Sequence, residues 1–478
     1  MIDAKIENTD GRVTISKNCP KHGLFEDTYW SSHEQYVRAE KFEWVGDGLE
    51  NPQTKTEKGC PYDCGICPNH KSATVLAIID ITNRCNLTCP VCFANASVAG
   101  YVYEPSRKQI EDMLQNLRKN RPIAPVALQF SGGEPTLRED LPELATRAKE
   151  LGFEHVEVNT NGLRISKSSD YIKHLMEAGV DTFYLQFDGL DDGVFIKTRG
   201  LPLMDVKLKA IEMARKAGLD SMMLVPTLIR GVNDHQVGDL IRFALKNCDV
   251  VRGVNFQPVS ICGRIDRSKL AEMRITISDL MAMAEKQTEG QLRASDFYPV
   301  PVVVPVSKAV GSLKSRRYPE FTAHQHCGVG TFVMSDGDKI APITRQANVE
   351  KLMGSLKDVY KLSSEGKKMR AKLKLMTATR HVKAGLIRQL MSNVLIRGTY
   401  TDLGKLVRKM VLVSAMHFMD PYNFDLARVQ RCCIHYATPD GRIIPFCTMN
   451  SIHRASVEKK FSVQQTDIMK KEPLARTT

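Results

Sequence analysis

The stretch Asp80-Ile-Thr-Asn-Arg-Cys-Asn-Leu-Thr-Cys-Pro-Val-Cys-Phe93 follows directly on the apolar run Val75–Ile79. The apolar run predicts a buried strand, so that Cys85, Cys89 and Cys92 lie on the loop that leaves it. A cubane iron–sulfur cluster has four irons, and a loop with three thiolates leaves one iron free to bind another ligand. The alternative is a structural zinc loop, although zinc sites usually take four ligands, with their cysteines in close pairs.

The Cys-x3-Cys-x2-Cys spacing resembles the signature of the radical S-adenosylmethionine (SAM) superfamily. In that superfamily the unligated iron binds the amino and carboxylate groups of SAM. The resemblance implies a [4Fe-4S] cluster with an open iron site, with Cys85, Cys89 and Cys92 as its ligands and as catalytic residues. Many members carry an aromatic residue between the second and third cysteines. This chain has Val91 there, and we expect Phe93 to supply the aromatic contact.

The composition is typical of a globular protein, with 42% hydrophobic and 25% charged residues. The 478 residues suffice for a catalytic domain of roughly 200 residues and one or two smaller domains. We find no apolar run near the roughly 20 residues of a membrane-spanning helix and no secretory signal at the start. The thirteen cysteines therefore favour metal binding under reducing conditions over a disulfide framework, and we expect a cytoplasmic protein.

Short apolar runs alternate with helical patterns between Val75 and about Ser260, which predicts βα units around a parallel sheet. Six such units indicate an α/β fold built on a partial (β/α)6 TIM-like barrel, with ligand-binding groups at the carboxyl ends of the strands. The predicted strands are Val75–Thr82, Val126–Phe130, His155–Asn159, Thr182–Phe187, Met222–Leu228 and Gly253–Pro258. The predicted helices are Arg107–Lys119, Glu139–Leu151, Tyr171–Ala178, Asp205–Ala217 and His235–Leu245.

Polar residues follow each of these strands, as a site at the carboxyl ends requires. In Ser131–Thr136 two glycines allow close approach of the backbone, and the next residue, Glu134, can accept hydrogen bonds from an ammonium group. Radical SAM proteins use a Gly-Gly-Glu sequence for the SAM amino group and later strand ends for its ribose, carboxylate and adenine. By that resemblance, the predicted SAM-binding residues are Gly132, Gly133, Glu134, Asn161, Asp188 and Thr227.

Residues 1–72 form a predicted cysteine-rich N-terminal module with an auxiliary metal site. The stretch Gly59–His70 repeats the Cys-x3-Cys-x2-Cys spacing, and its prolines and glycines predict a tight loop that aims several sulfurs at one centre. We expect a second iron–sulfur cluster there. Zinc with His70 as fourth ligand is the alternative. The predicted ligands are Cys60, Cys64 and Cys67.

Cys19 lies further upstream in the turn-rich sequence Asn18–Gly23, which is like one knuckle of a rubredoxin or zinc ribbon. No Cys-x2-Cys pair precedes it to complete a mononuclear iron or zinc site. Three explanations stay open: a degenerate site, a true start upstream of Met1, or a plain buried thiol.

The predicted radical SAM core covers residues 73–260, and residues 261–478 form a predicted C-terminal region for an auxiliary cluster and for substrate binding. Its cysteines could ligate one more iron–sulfur cluster, which gives one or two auxiliary [4Fe-4S] clusters in total; buried structural thiols are the alternative. Cys432 and Cys433 need not share a centre, since neighbouring side chains on an extended segment point to opposite faces. The predicted ligands are Cys327, Cys432, Cys433 and Cys447.

The net charge of +13 is concentrated in the predicted helical segment 361–410, which has thirteen basic and two acidic residues. Apolar residues recur in this segment at i, i+4 spacing, which predicts a helix with one apolar face. This helix either packs on the core with a solvated basic face, or lies on an anionic membrane surface or over a lipid channel. Nucleic-acid binding is not expected, because no aromatic-rich stacking surface accompanies the charge. The apolar residues are Leu386, Ile387, Leu390, Met391, Val394 and Leu395.

Most of the chain resembles archaeal tetraether lipid synthases, radical SAM enzymes that have also been described as pterin methylases. The resemblance rests on Gly59–His70, the loop around Cys85, Val225–Ile261 and the C-terminal stretch Ala415–Asn450. It implies an oxidoreductase or lyase-type enzyme that removes hydrogen from the terminal methyls of archaeal isoprenoid chains and joins them by carbon–carbon bonds into tetraether or macrocyclic lipids. The implied partners are an archaeal diether phospholipid, an external low-potential electron donor and a peripheral contact with the inner face of the membrane.

Two other functions are compatible with parts of the sequence. A radical SAM methylase of a pterin-like small molecule would use the same core without an apolar channel. A non-enzymatic iron–sulfur electron carrier would use the cysteines, but it has no need for Glu134 and the other SAM-type strand ends.

Overall fold

The computed structural model describes residues 2–266, 268, 270–399, 402 and 410–464. The N-terminal module begins with an antiparallel sheet of three strands in the order β1-β2-β3, followed by helix α1. Side chains from β2 and β3 enter the main hydrophobic core, where Trp30 is fully buried. These elements are β1 (Lys5–Thr9), β2 (Arg12–Cys19), β3 (Gly23–Trp30) and α1 (His33–Glu40).

The barrel strands and the helices between them follow in chain order. The strands are β4 (Leu76–Thr82), β5 (Tyr101–Tyr103), β6 (Ala127–Gly132), β7 (His155–Thr160), β8 (Thr182–Gln186), β9 (Met222–Val225), β10 (Thr227–Leu228) and β11 (Val251–Pro258). The helices are α2 (Arg107–Arg118), α3 (Leu141–Glu150), α4 (Ser169–Glu177), α5 (Asp192–Arg199), α6 (Met204–Ala217) and α7 (Val237–Lys246).

Strands β4, β6, β7, β8, β9 and β11 lie side by side and parallel, which confirms the predicted barrel of six βα units. Nearly every residue of β4 is buried, as expected for a parallel strand that is covered on both faces. The predicted strand Met222–Leu228 is instead two strands. Pro226 separates them, because proline has no N–H to donate to a ladder.

Helix α5 was not predicted from the sequence. The side chain of Asp191 caps its first turn by accepting from the Val194 N–H, and Gly200 ends it with a φ of 85°. The helix is only eight residues long, so its periodicity is too short to recognise. Its last residue, Arg199, nevertheless lies at the centre of the site described below.

The C-terminal region supplies further strands and helices. The strands are β12 (Tyr298–Pro299), β13 (Gly328–Asp336), β14 (Lys339–Pro342), β15 (Val411–Met416), β16 (Ile434–Ala437), β17 (Ile443–Pro445) and β18 (Ser462–Gln464). The helices are α8 (Leu270–Met273), α9 (Ile277–Gln287), α10 (Val304–Lys314), α11 (Val349–Ser364), α12 (Lys368–Ala378) and α13 (Leu386–Arg397), followed by the short helices Leu426–Gln430, Phe446–Thr448 and Arg454–Lys460.

Two C-terminal strands extend the barrel at its opposite edges. β15 pairs in parallel with β11, and β16 pairs in parallel with β4. The segment 417–433 therefore connects one edge of the parallel sheet to the other. Division of the chain at residues 72 and 260 stays a prediction. Strands β15 and β16 of the C-terminal region are hydrogen-bonded to the parallel sheet of the core.

Helices α10 to α13 form a separate hydrophobic cluster that includes much of the basic segment. Leu395 of α13 is buried there, and Met391 packs against the same cluster. The structure therefore shows the basic helix packed against the rest of the protein. The side chains of Leu386, Ile387 and Leu390 lie outside the described residues. None of the helices in the described part of the chain is both long and apolar enough to cross a membrane.

Candidate active site

The predicted cysteine loop lies at the carboxyl ends of the parallel strands. Cys85, Cys89 and Cys92 line one wall of a cavity of about 170 Å³. Among the described residues, no Asp, Glu or His side chain lines this cavity, and Arg199 is its one charged residue. A donor set of three thiols with a nearby cation fits an anionic iron–sulfur cluster. No group of three or more His, Cys, Asp or Glu side chains among the described residues has the geometry to hold a single metal ion.

The two glycines of the Gly-Gly-Glu sequence lie against the backbone that leads into the cysteine loop. A Cβ atom on Gly132, whose φ is +126°, would lie 2.1 Å from the carbonyl oxygen of Thr82. A Cβ atom on Gly133 would lie 2.1 Å from the carbonyl oxygen of Arg84. The N–H groups of Gly133 and Glu134 donate to these same two oxygens at 2.7 and 2.8 Å. The glycines thus permit a close contact that fixes the start of the loop.

Glu134 is not among the residues that line the cavity, and its role as a SAM ligand stays a prediction. Its carboxylate is buried, and it accepts hydrogen bonds from the Thr136 N–H and hydroxyl, the Thr160 hydroxyl and the Asn161 N–H. Burial raises the pKa of Glu134 against the effect of these hydrogen bonds. Its geometry is that of a residue that positions Asn161, whose side chain does line the cavity.

Asp188 is also behind the cavity wall rather than in it. It is fully buried and forms an ion pair with Arg199, in which Arg199 Nη2 lies 2.8 Å from the carboxylate. Burial opposes its ionisation, but the guanidinium of Arg199 holds the pKa of Asp188 below its ordinary value. Asp188 Oδ1 also accepts from the Thr227 N–H at 3.0 Å. Asp188 therefore anchors two groups that face the cavity.

Arg199 contacts both Asp188 and the cysteine loop. It was not identified as a site residue from the sequence. Its Nη1 donates to the carbonyl of Val91 at 3.0 Å, and its Nη2 donates to the Thr227 hydroxyl at 2.9 Å. Burial raises the pKa of Cys89, and the charge of Arg199 acts in the opposite direction. A fixed cation beside the cysteines favours their thiolate form, which is the form that binds iron.

Lys207 is a second buried basic residue that was not identified from the sequence. It donates to the Asn161 carbonyl at 2.6 Å and to Gln186 Oε1 at 2.8 Å. Burial lowers the pKa of Lys207 to about 7. The sequence did contain a signal, because Lys207 shares the buried face of α6 with Ala210 and Ile211, at a position where an apolar residue is expected.

Residues Gly263 and Arg264, which follow the last barrel strand, also contact the cysteine loop. Cys92 and Arg264 exchange backbone hydrogen bonds at 2.9 and 3.0 Å, and Arg264 Nε donates to the Cys89 carbonyl. Gly263, with a φ of +66°, lies so close that a Cβ atom would be 2.4 Å from the Cys92 carbonyl oxygen. Phe93 lines the cavity, as expected, and Val91 also lies in its wall.

Aromatic and amide side chains also line the cavity. The rings of Phe418 and Phe446 stack with centroids 4.0 Å apart, and Phe93 lies 5.9 Å from Phe446. Tyr436 also packs against Phe446, at 5.4 Å. The amide side chains on the cavity wall are Gln129, Asn159, Asn161, Gln186, Gln257 and Asn450.

The second cysteine loop lies close to the barrel. Cys64 is buried and interacts with Cys60, and burial together with this contact raises its pKa. His70 Nε2 lies 2.8 Å from the Cys432 carbonyl and 3.0 Å from His435 Nε2. Burial lowers the pKa of His70 to about 4. These two contacts occupy Nε2, and zinc ligation by His70 stays an alternative.

The C-terminal cysteines come together from distant parts of the sequence. Cys432 and Cys447 pack in one cluster of side chains, and Cys327 is near enough to affect the charge state of both. Cys433 packs on the other side, with Val75 and others, as expected for neighbours on an extended segment. Burial raises the pKa of Cys432 to about 12. The role of these four cysteines as ligands stays a prediction.

Cys19 and His22 are the one cysteine and the one histidine between residues 2 and 31. Cys19 Sγ lies 3.3 Å from His22 Nδ1, at the turn between β2 and β3. A structural zinc site needs four ligands, so these two residues alone do not fit one.

Comparison with known sequences agrees with this combination of fold and site. The family profile described as the radical SAM superfamily matches residues 79–244, and the profile of an HMPTM N-terminal zinc ribbon domain matches residues 1–31. A parallel barrel with such a cysteine loop and Gly-Gly-Glu turn defines the class of radical SAM enzymes, which use a [4Fe-4S] cluster and SAM.

The 7,8-dihydro-6-hydroxymethylpterin dimethyltransferase of Methanocaldococcus jannaschii is 50% identical to this chain over 475 residues, which cover 97% of the chain and 93% of the relative. The chain belongs to the same radical SAM family as this enzyme. A probable GTP 3′,8-cyclase of Methanothermobacter marburgensis is 29% identical over 41% of the chain and 61% of its own length. The crystal structure of Streptococcus suis SuiB matches 46% of this chain and 47% of its own chain, at 20% identity and a TM-score of 0.38.

These comparisons correct the predicted substrate. The prediction of a tetraether lipid synthase is wrong, because the relative that matches nearly the whole chain is a pterin dimethyltransferase. An archaeal diether phospholipid as partner is contradicted by the same finding. Of the two alternatives for the basic helix, packing against the protein agrees with the structure, since Leu395 lies in the hydrophobic cluster of α10 to α13.

Proposed function

We propose that this protein is a radical SAM methyltransferase that acts on a reduced pterin or a closely similar small heterocycle. The observation that carries the proposal is the stacked pair of Phe418 and Phe446, which lines the same cavity as the cysteine loop. Planar heterocycles bind well against aromatic faces. The activity of the relative that is 50% identical supports the same substrate class.

The amide side chains of the cavity suit the edge of a pterin ring. A pterin presents both hydrogen-bond donors and acceptors, and an amide side chain offers both kinds of group. Gln257 and Asn450 both line the cavity, and the Asn450 amide donates to the Phe446 carbonyl at 2.9 Å. In this proposal Phe418 and Phe446 contact the face of the pterin ring, and the amide side chains form hydrogen bonds with its edge.

Other residues that line the cavity would hold the cofactors. Cys85, Cys89 and Cys92 would ligate the [4Fe-4S] cluster, and Gly132 and Gly133 would let the backbone approach SAM closely. When bound, the cluster and SAM supply hydrogen abstraction from unactivated carbon. The remaining predicted SAM residues divide into Asn161 and Thr227, which face the cavity, and Glu134 and Asp188, which position them.

The other cysteines would hold auxiliary iron–sulfur clusters. Cys60, Cys64 and Cys67 form one group, and Cys327, Cys432, Cys433 and Cys447 form the other. The chemistry of these donor sets fits clusters, since both groups consist of partly or fully buried thiols. An external low-potential electron donor would supply the electrons, under the reducing conditions of the cytoplasm.

The test is incubation of the anaerobically reconstituted protein with reductant, SAM and 7,8-dihydro-6-hydroxymethylpterin. Mass spectrometry should show a product heavier by one methylene unit for each methyl group added. SAM with a deuterated methyl group then reports whether SAM is the methyl source. Cys85→Ala is the control without SAM cleavage. Formation of 5′-deoxyadenosine in the wild type without any methylated pterin would refute the substrate while leaving the enzyme class intact.

A further inference from the structure

Buried arginines in this protein are paired with carboxylates, with one exception. Six arginines of the described residues are buried, and five of them have an Asp or Glu oxygen within 4.0 Å. Arg428 is the most deeply buried of the six, at 1% exposure, and has no carboxylate partner among the described residues. The five paired arginines are Arg138, Arg199, Arg274, Arg431 and Arg454.

The nearest side-chain partner of Arg428 is a thiol. Arg428 Nε lies 3.4 Å from Cys327 Sγ, and Nη2 donates to the carbonyl of His417. The third nitrogen, Nη1, is buried without a hydrogen-bond partner in the described structure. The aromatic ring of Tyr29 lies 5.9 Å from the guanidinium. These contacts leave the positive charge without a counter-charge.

An isolated buried charge is costly, and proteins keep one where a partner or a metal centre compensates it. A free thiol is neutral near pH 7, so Cys327 and Cys447 cannot balance Arg428 as thiols. Ligation of iron converts them to thiolates, and an iron–sulfur core together with its four thiolate ligands carries a net negative charge. The uncompensated charge of Arg428 therefore matches a centre held by the C-terminal cysteines.

A second side chain at the same place is also unsatisfied. His417 is buried, and neither of its ring nitrogens has a partner among the described residues. Its backbone N–H donates to the Cys327 carbonyl at 2.9 Å, so the two residues are fixed next to each other. Buried polar groups are normally hydrogen-bonded. His417 and Arg428 thus offer unused donors beside Cys327.

We propose that Arg428 is a positioning residue that balances the charge of the C-terminal iron–sulfur cluster and raises its reduction potential, with His417 as a further hydrogen-bond donor. This inference rests on the auxiliary cluster of the proposed function. A fixed positive charge stabilises the reduced, more negative state of a cluster, and hydrogen bonds to its sulfurs act in the same direction. Arg428 would then set how readily this centre takes up an electron.

The experiment is an EPR-monitored redox titration of the reconstituted full-length protein. Cys327→Ser first identifies the signal of the C-terminal cluster as the component that this variant loses. We expect Arg428→Met to shift the midpoint potential of that component to a more negative value, and Arg428→Lys to restore most of it by keeping the charge. Arg138→Lys is the matched control, because Arg138 is buried beside Asp140, and it should leave the component in place.

Two results would overturn the inference. An unchanged midpoint potential in Arg428→Met, in a variant that still shows the component, would refute the charge role while the pterin assay could still succeed. If Cys327→Ser loses no component and no iron, the cluster assignment itself fails, and the role of Arg428 fails with it. Pterin methylation is measured separately, so a failure of the substrate proposal is distinguishable from both.

Discussion

Gly133→Ala tests whether the Gly-Gly turn holds the cysteine loop in position. The added Cβ would lie 2.1 Å from the Arg84 carbonyl oxygen, 2.7 Å from the Arg84 carbonyl carbon and 2.9 Å from that of Asn83. All three atoms belong to the backbone, so no side chain can rotate away. The segment that leads to Cys85 must move instead.

The expected cost follows from the contacts that this movement would break. Forcing a methyl group into a packed site costs roughly 1–3 kcal/mol. The displacement also strains two backbone hydrogen bonds, from Gly133 to Thr82 and from Glu134 to Arg84, each of which contributes about 0.5–1.5 kcal/mol. We expect the free energy of unfolding to fall by about 2–6 kcal/mol in total.

Urea denaturation measures the stability, and iron content and 5′-deoxyadenosine formation report on the loop. Gly354→Ala is the matched control, because Gly354 is exposed on α11 and an added Cβ would have no atom within 4 Å. Alanine at such a helical position should be stabilising by up to about 1 kcal/mol. Wild-type iron content and SAM cleavage in Gly133→Ala would refute the argument.

Three further predictions concern residues around the site. Cys85→Ala should abolish SAM cleavage. Cys447→Ala should retain SAM cleavage but yield no methylated pterin. Methylated pterin from Cys447→Ala, detected by mass spectrometry, would exclude a catalytic role for Cys447. Asp188→Asn leaves the buried guanidinium of Arg199 without its counter-charge. We expect urea denaturation to show that the free energy of unfolding falls by about 3–5 kcal/mol. A fall below about 1 kcal/mol, as for an exposed ion pair, would contradict this. Burial lowers the pKa of Lys207 from 10.5 to about 7, so the unfolded chain binds more protons between these values and stability should rise with pH across that window. Lys207→Met should remove this part of the rise between pH 7 and about 10, and an unchanged slope in urea denaturation would show that Lys207 is not the cause.

The sequence was sufficient for the barrel and for the cysteine loop, because both depend on local patterns. Six apolar runs at βα spacing predicted the six core strands, and the ends of β7 and β8 differ from the prediction by one residue. Cys85, Cys89 and Cys92 lie within eight consecutive residues, so their proximity needs no knowledge of the fold. Gly132 and Gly133 were recognised from the local Gly-Gly-Glu sequence, whereas their close contact with Thr82 and Arg84 depends on the pairing of β6 with β4.

The substrate could not be read from the sequence in the same way. The lipid prediction relied partly on an apolar helix face in the basic segment, and the structure packs residues of that face, such as Leu395, against α10–α12. Amphipathic periodicity predicts that one face is covered, but it does not say whether protein or lipid covers it. The aromatic pair of Phe418 and Phe446 was not noticed, since the two residues are 28 positions apart.

By itself the sequence determined the chemistry of the first site: a three-cysteine loop behind a buried strand, followed by a Gly-Gly-Glu turn. Tertiary structure alone decided which residues surround that loop and which cysteines meet elsewhere. Arg199, Lys207 and Arg264 reach the site from three different parts of the chain. Cys327 lies just before β13, which pairs with β15, and Cys432 lies just before β16, which pairs with β4. Ligands within one loop are brought together by chain connectivity, whereas these partners are brought together by strand pairing between distant parts of the chain.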